Sequence, residues 1–239
     1  MRVHAHIPIG EIAASLPHTT KLFDVFGIDY VCHGNLSLRD ACAEAGVDPS
    51  IVRKAIDSLP RAAAGATSWS DSSMQELMNE LRDRRHPVLR RLLGHAATVL
   101  AETPASAGVM RVRNAFSALC DELQPHMTRE EHMLFPVIQH LEDCWTRGER
   151  MAVNFTAGIT KPLALLIEEH ARIIEKVKSL SQAAALLADN GAGTTRVLDT
   201  LAELEHELRE HIHLENNVLY PRAIAIEAAV SGATAPMLG

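Results

Sequence analysis

Apolar residues at helical spacing occupy positions 9–16 and 17–26, with Gly27 as a stop. Ser37 is placed to cap a helix over 38–45, closed by Gly46. Asp48 followed by Pro49 opens another that runs to Leu59. Residues 1–60 therefore read as a small helical module. Residues 61–73 follow, small and polar with no sustained period, and read as a linker. From Met74 to about residue 229 come four long helical patterns, broken at 103–108, 146–158 and 189–193. Four long helices joined by short connections predict an all-α, up-down-up-down four-helix bundle. Residues 230–239 form a small, apolar, Gly- and Pro-bearing tail.

Composition narrows the function. Of 239 residues, 47% are hydrophobic and only 4% aromatic, with Ala, Leu, Glu and Arg plentiful, so helix is favoured over sheet. A net charge of -7 argues against a nucleic-acid surface. The N-terminus shows no signal-peptide pattern and no apolar run reaches the roughly 18 residues of a membrane span, so a cytoplasmic location is expected. Cys32, Cys42, Cys120 and Cys144 form no CxxC and no zinc-like spacing, and read as reduced thiols. The thirteen histidines are the unusual feature of this composition, and they point to metal.

Two segments repeat one arrangement: His126-Met-Thr-Arg-Glu130 and His211-Ile-His-Leu-Glu215, each followed by an apolar pair and a proline (Pro136, Pro221). Residues four apart on a helix share a face one turn apart, so each pair can reach a common point. In an up-down-up-down bundle, residues at equal depth lie symmetrically about the connecting loop. His86 and His126 centre on 106, Glu130 and His170 on 150, His170 and His211 between 190 and 191, each inside a predicted break. That brings His86, His126, Glu130, His170, His211 and Glu215 to one level. His95, His132, His206 and His213 point away from these at 100° per residue, and His140 lies about 21 Å along the axis from His126. They read as surface histidines or as partners of the ligands. His86, among Arg82, Arg84, Arg85, Arg90 and Arg91 and directly before Pro87, also fits a solvated basic face. Glu122 and Glu169 flank the ligands and fit partners of the ligands, a charged path, or plain solvated carboxylates.

Four imidazoles and two carboxylates make a nitrogen–oxygen site without thiolate, which disfavours structural zinc and iron–sulfur clusters. Six ligands suit two metals, each with two histidines and two bridging glutamates, leaving room for an oxo or hydroxo bridge and an open position. Softness allows iron or manganese without choosing between them.

The segments Ile28-Asp-Tyr-Val-Cys32-His-Gly34, His86-Pro-Val-Leu-Arg90, His126 to Pro136, Glu169-His170 and His211 to Arg222 resemble the family of di-iron proteins for repair of iron centres, the ScdA/YtfE/NorA type. The resemblance covers nearly the whole chain. It implies a hemerythrin-like bundle holding two non-haem irons, bridged by Glu130 and Glu215 and ended by His86, His126, His170 and His211. It implies a cytoplasmic role in nitrosative and oxidative stress, with damaged iron–sulfur proteins as clients, nitric oxide or O2 as small ligand, and NO reduction or iron donation as the activity in question. Whether the protein forms a homodimer stays open.

Three positions depart from the family's pattern. Ile174 stands four residues after His170, where oxygen-carrying hemerythrins place a second histidine, so one iron would gain an open position. Val31 replaces the first of two adjacent cysteines, leaving Cys32 as a candidate single thiol or a small buried hydrophobe. Thr103 or a neighbour stands where the family often has a further histidine late on the first bundle helix. The competing functions are cluster repair, an NO-binding buffer or sensor without turnover, and a purely structural metal bundle. With every ligand beyond Ser73, a chain lacking residues 1–60 is expected to keep a metal-loaded bundle.

Overall fold

The computed structural model describes residues 3–59, 69, 72–149, 158–187 and 192–231. Most of the expected linker, parts of the second and third predicted breaks, and 232–239 lie outside the described residues.

The first helices are α1 (Ile9–Ser15), α2 (Thr19–Phe26), α3 (Leu38–Glu44) and α4 (Pro49–Ser58). Their ends follow the local chemistry. Ser37 accepts from Asp40 N, and Asp48 accepts from Ser50 N ahead of Pro49 at the first helical position, so helix-end donors are satisfied by short side chains. Gly27 ends α2 in the left-handed region at φ 69, which costs glycine little. Antiparallel backbone bonds tie the start of α1 to the strand-like turn before α3: Ile9 N donates to Leu36 O at 2.9 Å and Gly10 N to Gly34 O at 2.8 Å.

Four rods make the bundle. The first is α5 (Met74–Glu80), a wide π turn (Leu81–Arg85) and α6 (His86–Glu102). The second is α7 (Ala107–Arg129), a π turn (Glu130–Leu134) and α8 (Phe135–Arg147). The third is α9 (Thr160–Ala185), uninterrupted. The fourth is α10 (Ala192–Leu214), a π turn (Glu215–Leu219) and α11 (Tyr220–Ser231). Packing runs α6 to α7, α7 to α9, α9 to α10 and α10 back to α6, which closes the up-down-up-down ring. Ser73 caps α5 with a full capping box to Glu76.

The three π turns explain how Pro87, Pro136 and Pro221 sit inside long rods. Pro87, Pro136 and Pro221 each fall at the first or second position of the helix segment after a π turn. A proline has no N–H to give and crowds the preceding turn. One extra residue per turn relieves that crowding, and such bulges are frequent at functional sites. His86 is therefore carried on a continuous rod, and the proline beside it does not break the helix.

Two apolar clusters sandwich one polar layer. Leu89, Leu92, Leu119, Leu123, Ile173 and Leu208 fill the bundle on one side, and Ile9, Ile12, Phe23 and Tyr30 of the N-terminal module join the same cluster. Leu77, Leu81, Leu134, Ile138, Leu163 and Leu219 fill the other side. No helix among the described residues is long and apolar enough to cross a membrane.

Candidate metal centre

Between the two apolar clusters lie six polar side chains with no exposed surface: His86, His126, Glu130, His170, His211 and Glu215. These are the six residues that the bundle geometry aligned in the sequence. Burying so many ionisable groups in one layer is costly unless each meets a partner. They divide into two overlapping sets, His86–Glu130–His211–Glu215 and His126–Glu130–His170–Glu215, within each of which one donor atom per residue lies within 4.8 Å of the others. Both glutamates belong to both sets, which is the disposition of bridging ligands.

The outer ring nitrogens settle which atoms face inward. His86 Nδ1 donates to Glu131 Oε1 at 2.6 Å, His126 Nδ1 to Glu169 Oε2 at 2.8 Å, and His170 Nδ1 to Asn216 Oδ1 at 2.8 Å. Each acceptor is a carboxylate or amide oxygen, so the proton sits on Nδ1 and the lone pair of Nε2 points into the centre. His126 Nε2 and His170 Nε2 then stand 2.8 Å apart. Two lone pairs at that separation repel, and only a proton or a metal ion reconciles them. His86 Nε2, His211 Nε2, Glu130 Oε2 and both Glu215 oxygens have no hydrogen-bond partner. The donor set, all nitrogen and oxygen with orphaned inward atoms, fits a pair of iron-class cations.

Electrostatics agree. Burial alone would lift Glu130, but the surrounding imidazoles of His126, His170 and His86 hold its carboxyl well below the usual range. Burial and the Glu130 charge push Glu215 up, and His211 and His170 bring it below its ordinary value. Burial disfavours imidazolium at His170, yet the adjacent Glu130 and Glu215 carboxylates raise it to about 10. His86 and His126 also rise against burial, through Glu130. His211 falls, because burial outweighs Glu215. This anionic pocket draws positive charge, and protons occupy it where a metal ion does not.

Further side chains complete the site. Tyr220 OH donates to Glu130 Oε1 at 2.9 Å, and its ring lies parallel to His170, with centroids 5.8 Å apart. Phe135 lies on His86 in the same manner at 5.9 Å. Glu131 also accepts from Arg90 at 2.8 Å and Glu169 from Arg129 at 2.6 Å, so each outer carboxylate is held from both ends.

Of the two flanking carboxylates considered from sequence, Glu169 touches His126. Glu122 instead pairs with Arg172 at 2.7 Å and Lys176 at 3.4 Å. Sequence reasoning missed Glu131, Asn216 and Tyr220. Their signal was available by symmetry: Glu131 and Asn216 each directly follow a glutamate shared by the two sets, and Tyr220 and Phe135 occupy matching places before a proline. His95, His132 and His140 are exposed and His206 is half-buried, away from the six. His213 is buried, but it packs edge-on against Tyr30 at 5.3 Å and touches no ligand, so it belongs to the contact between module and bundle. Ile174 is core, at 2% exposure. Cys32 is half-buried, and burial pushes its thiol up to about 11, so it is protonated at neutral pH.

Two family models match separate parts of the chain. Residues 77–223 match the hemerythrin HHE cation binding domain, and residues 6–60 match a domain of unknown function, ScdA_N. Among similar proteins are two iron-sulfur cluster repair proteins named YtfE. One, from Edwardsiella ictaluri, is 30% identical over 227 residues, covering 91% of this chain and 96% of its own length. Another, from Pectobacterium carotovorum, is 28% identical over 225 residues, covering 90% and 96%. The matched HHE segment contains all six residues of the buried centre, and the similarity runs almost from end to end, so the chain belongs to the hemerythrin HHE family, within the group of proteins for repair of iron centres that its motifs resemble.

Proposed function

We propose that this chain is a di-iron protein that restores iron–sulfur clusters damaged by nitric oxide or oxidative stress, and that it binds NO at its non-haem centre. In this reading His86 and His211 hold one iron, His126 and His170 the other, and Glu130 and Glu215 bridge them. The observation that carries it is the pair of overlapping four-residue sets with orphaned inward atoms. The repair role is supported by the relatives, whose names state it. Bound iron would supply redox capacity and room for a diatomic ligand. The chain's own residues orient the ligands through Glu131, Glu169 and Asn216, exclude water with two apolar layers, and hold the Glu130 carboxylate by the Tyr220 phenol. We further propose that residues 1–60 and 74–229 act as a client-engaging module and a metal bundle, in the cytoplasmic compartment where iron–sulfur proteins are assembled.

A second reading, an NO-binding buffer or sensor, is favoured by one observation: Val31 replaces a thiol and Cys32 is protonated, which weakens any thiol chemistry in the module. Two measurements test the pair. Protein purified without oxygen should hold about two irons per chain, with an absorption spectrum that changes on NO addition. Zinc or a single metal would overturn the assignment. A nitrosylated cluster enzyme should then regain activity at substoichiometric protein or with matching iron loss. If damage is only slowed, the buffer reading holds.

A further inference from the structure

The N-terminal module meets the metal centre at two asparagines that directly follow Glu215. Asn216 has one hydrogen bond in each direction. Its Oδ1 accepts from His170 Nδ1 at 2.8 Å, and its Nδ2 donates to the backbone carbonyl of Val31 at 3.2 Å. Asn217 is the anchor beside it. Its Nδ2 donates to Tyr30 O at 2.9 Å and to His213 Nδ1 at 2.9 Å. Its side chain lies between Gly10 and Gly34. A Cβ on Gly10 would stand 2.6 Å from Asn217 Oδ1, and one on Gly34 would overlap it. Both glycines are thus required by close approach. Arg209 braces the same contact, stacked 5.3 Å from the Tyr30 centroid and paired with Asp24 at 3.0 Å.

This route to the centre is specific to one ligand. His86 and His126 have their outer nitrogens on Glu131 and Glu169, both within the bundle, and His211 Nδ1 has no partner. Only His170 is held by a group whose other end is fixed to residues 28–34. An amide keeps both bonds in one orientation, because its acceptor and donor ends are distinct. Withdrawing the Val31 carbonyl removes what fixes that orientation, and His170 loses its positioned acceptor. Outer partners of this kind set ring orientation and tune metal affinity.

We propose that Asn216 is a positioning residue that couples docking of the N-terminal module to the ion held by His126 and His170. The module then acts as a latch on one half of the centre. A partner that draws residues 28–34 off the bundle loosens that ion and leaves the His86–His211 ion in place. This rests on the proposed two-ion centre, and it gives iron donation a trigger.

The test uses the full-length chain loaded with ferrous iron, in the wild type, Gly34→Ala, Asn217→Ala, Asn216→Ala and the Gly34→Ala/Asn216→Ala pair. Amide exchange at residues 28–34 reads docking, and chelator capture with the absorption spectrum reads each ion. Gly34→Ala and Asn217→Ala should raise exchange, accelerate loss of one of the two ions by about tenfold, and alter the spectrum of the remaining centre. Asn217→Ala gives the same reading without a clash if Gly34→Ala does not fold. Asn216→Ala should release that ion equally fast, and the double variant no faster. Raised exchange with both ions leaving at the wild-type rate overturns the latch. Equal acceleration of both ions, or multiplied effects in the double variant, also overturns it. A wild-type chain that holds fewer than two ions overturns the centre itself, an outcome distinct from two ions with unchanged release.

Discussion

The two halves of the metal centre are built from one repeated phrase and finished differently. On each of the second and fourth rods a histidine, a glutamate four residues on, a π turn and an aromatic–proline pair recur at matching places. In the first copy the residue after the glutamate is Glu131 and the aromatic is Phe135. In the second they are Asn216 and Tyr220. The residues before the remaining two ligands differ as well. Glu169 before His170 supports His126, whereas Arg85 before His86 cannot accept a proton, pairs with Glu80 and Glu207, and leaves His211 Nδ1 unsupported. Two ions in such a frame would share the two glutamates and differ in the hold on their histidines. The comparison teaches that a near-symmetric ligand set acquires unequal halves through the residues one step behind it.

The largest test removes what the halves share. Glu130→Ala or Glu215→Ala should drop bound iron from about two per chain to well below that, read by metal analysis. Full retention would refute the bridging role of that residue. The next separates the halves. Glu131→Gln should weaken the ion at His86, and Glu169→Gln the ion at His126, each by about ten- to a hundredfold, because the outer carboxylate fixes the imidazole. Competition with a chelator would resolve the two, and a loss spread over both ions in either variant would count against separate halves.

Acidity gives a smaller, graded effect. Metal binding requires neutral imidazole, whereas the metal-free site holds a proton on His170 up to about pH 10. Proton and metal compete, so apparent affinity should increase as pH is raised from 6 towards 10 and fall on acidification. Titration calorimetry in buffers of different ionisation heat would detect the released proton, and a pH-independent affinity would contradict it. The smallest change makes the halves alike. Tyr220→Phe removes the phenol from Glu130 and should lower the unfolding free energy of the metal-free chain by about 1.5–3 kcal/mol, the usual worth of a hydrogen bond to a charged group. Denaturant unfolding measures it.

Much of the bundle and the gathering of six buried donors were legible in the sequence because helical geometry is regular. Equal depth about a loop follows from 1.5 Å rise per residue, so His86, His170 and the two His-x-x-x-Glu pairs could be aligned by counting alone. The caps at Ser37, Asp48 and Ser73 are local chemistry, and the sequence pattern marks Ser37 and Asp48. Glu122 shows the limit. It sits one turn before His126, as good a position as any, but a helix face has neighbours, and Arg172 and Lys176 claimed it. His213 shows another limit: its distance from the ligands was readable from periodicity, but its burial against Tyr30 was not.

The sequence by itself determined the rods, the shared depth of six donors and the nitrogen–oxygen character of the site, because these depend on spacing within single helices. Only the tertiary structure decided that Glu131, Glu169 and Asn216 stand behind three of the four imidazoles, that Tyr220 holds Glu130, and that Asn217 fits between Gly10 and Gly34. Those contacts join residues up to about two hundred positions apart, and hydrogen bonds act only over a few ångströms. Which partner a side chain meets is therefore set by how the rods and the module pack, a relation that spacing along the chain does not encode.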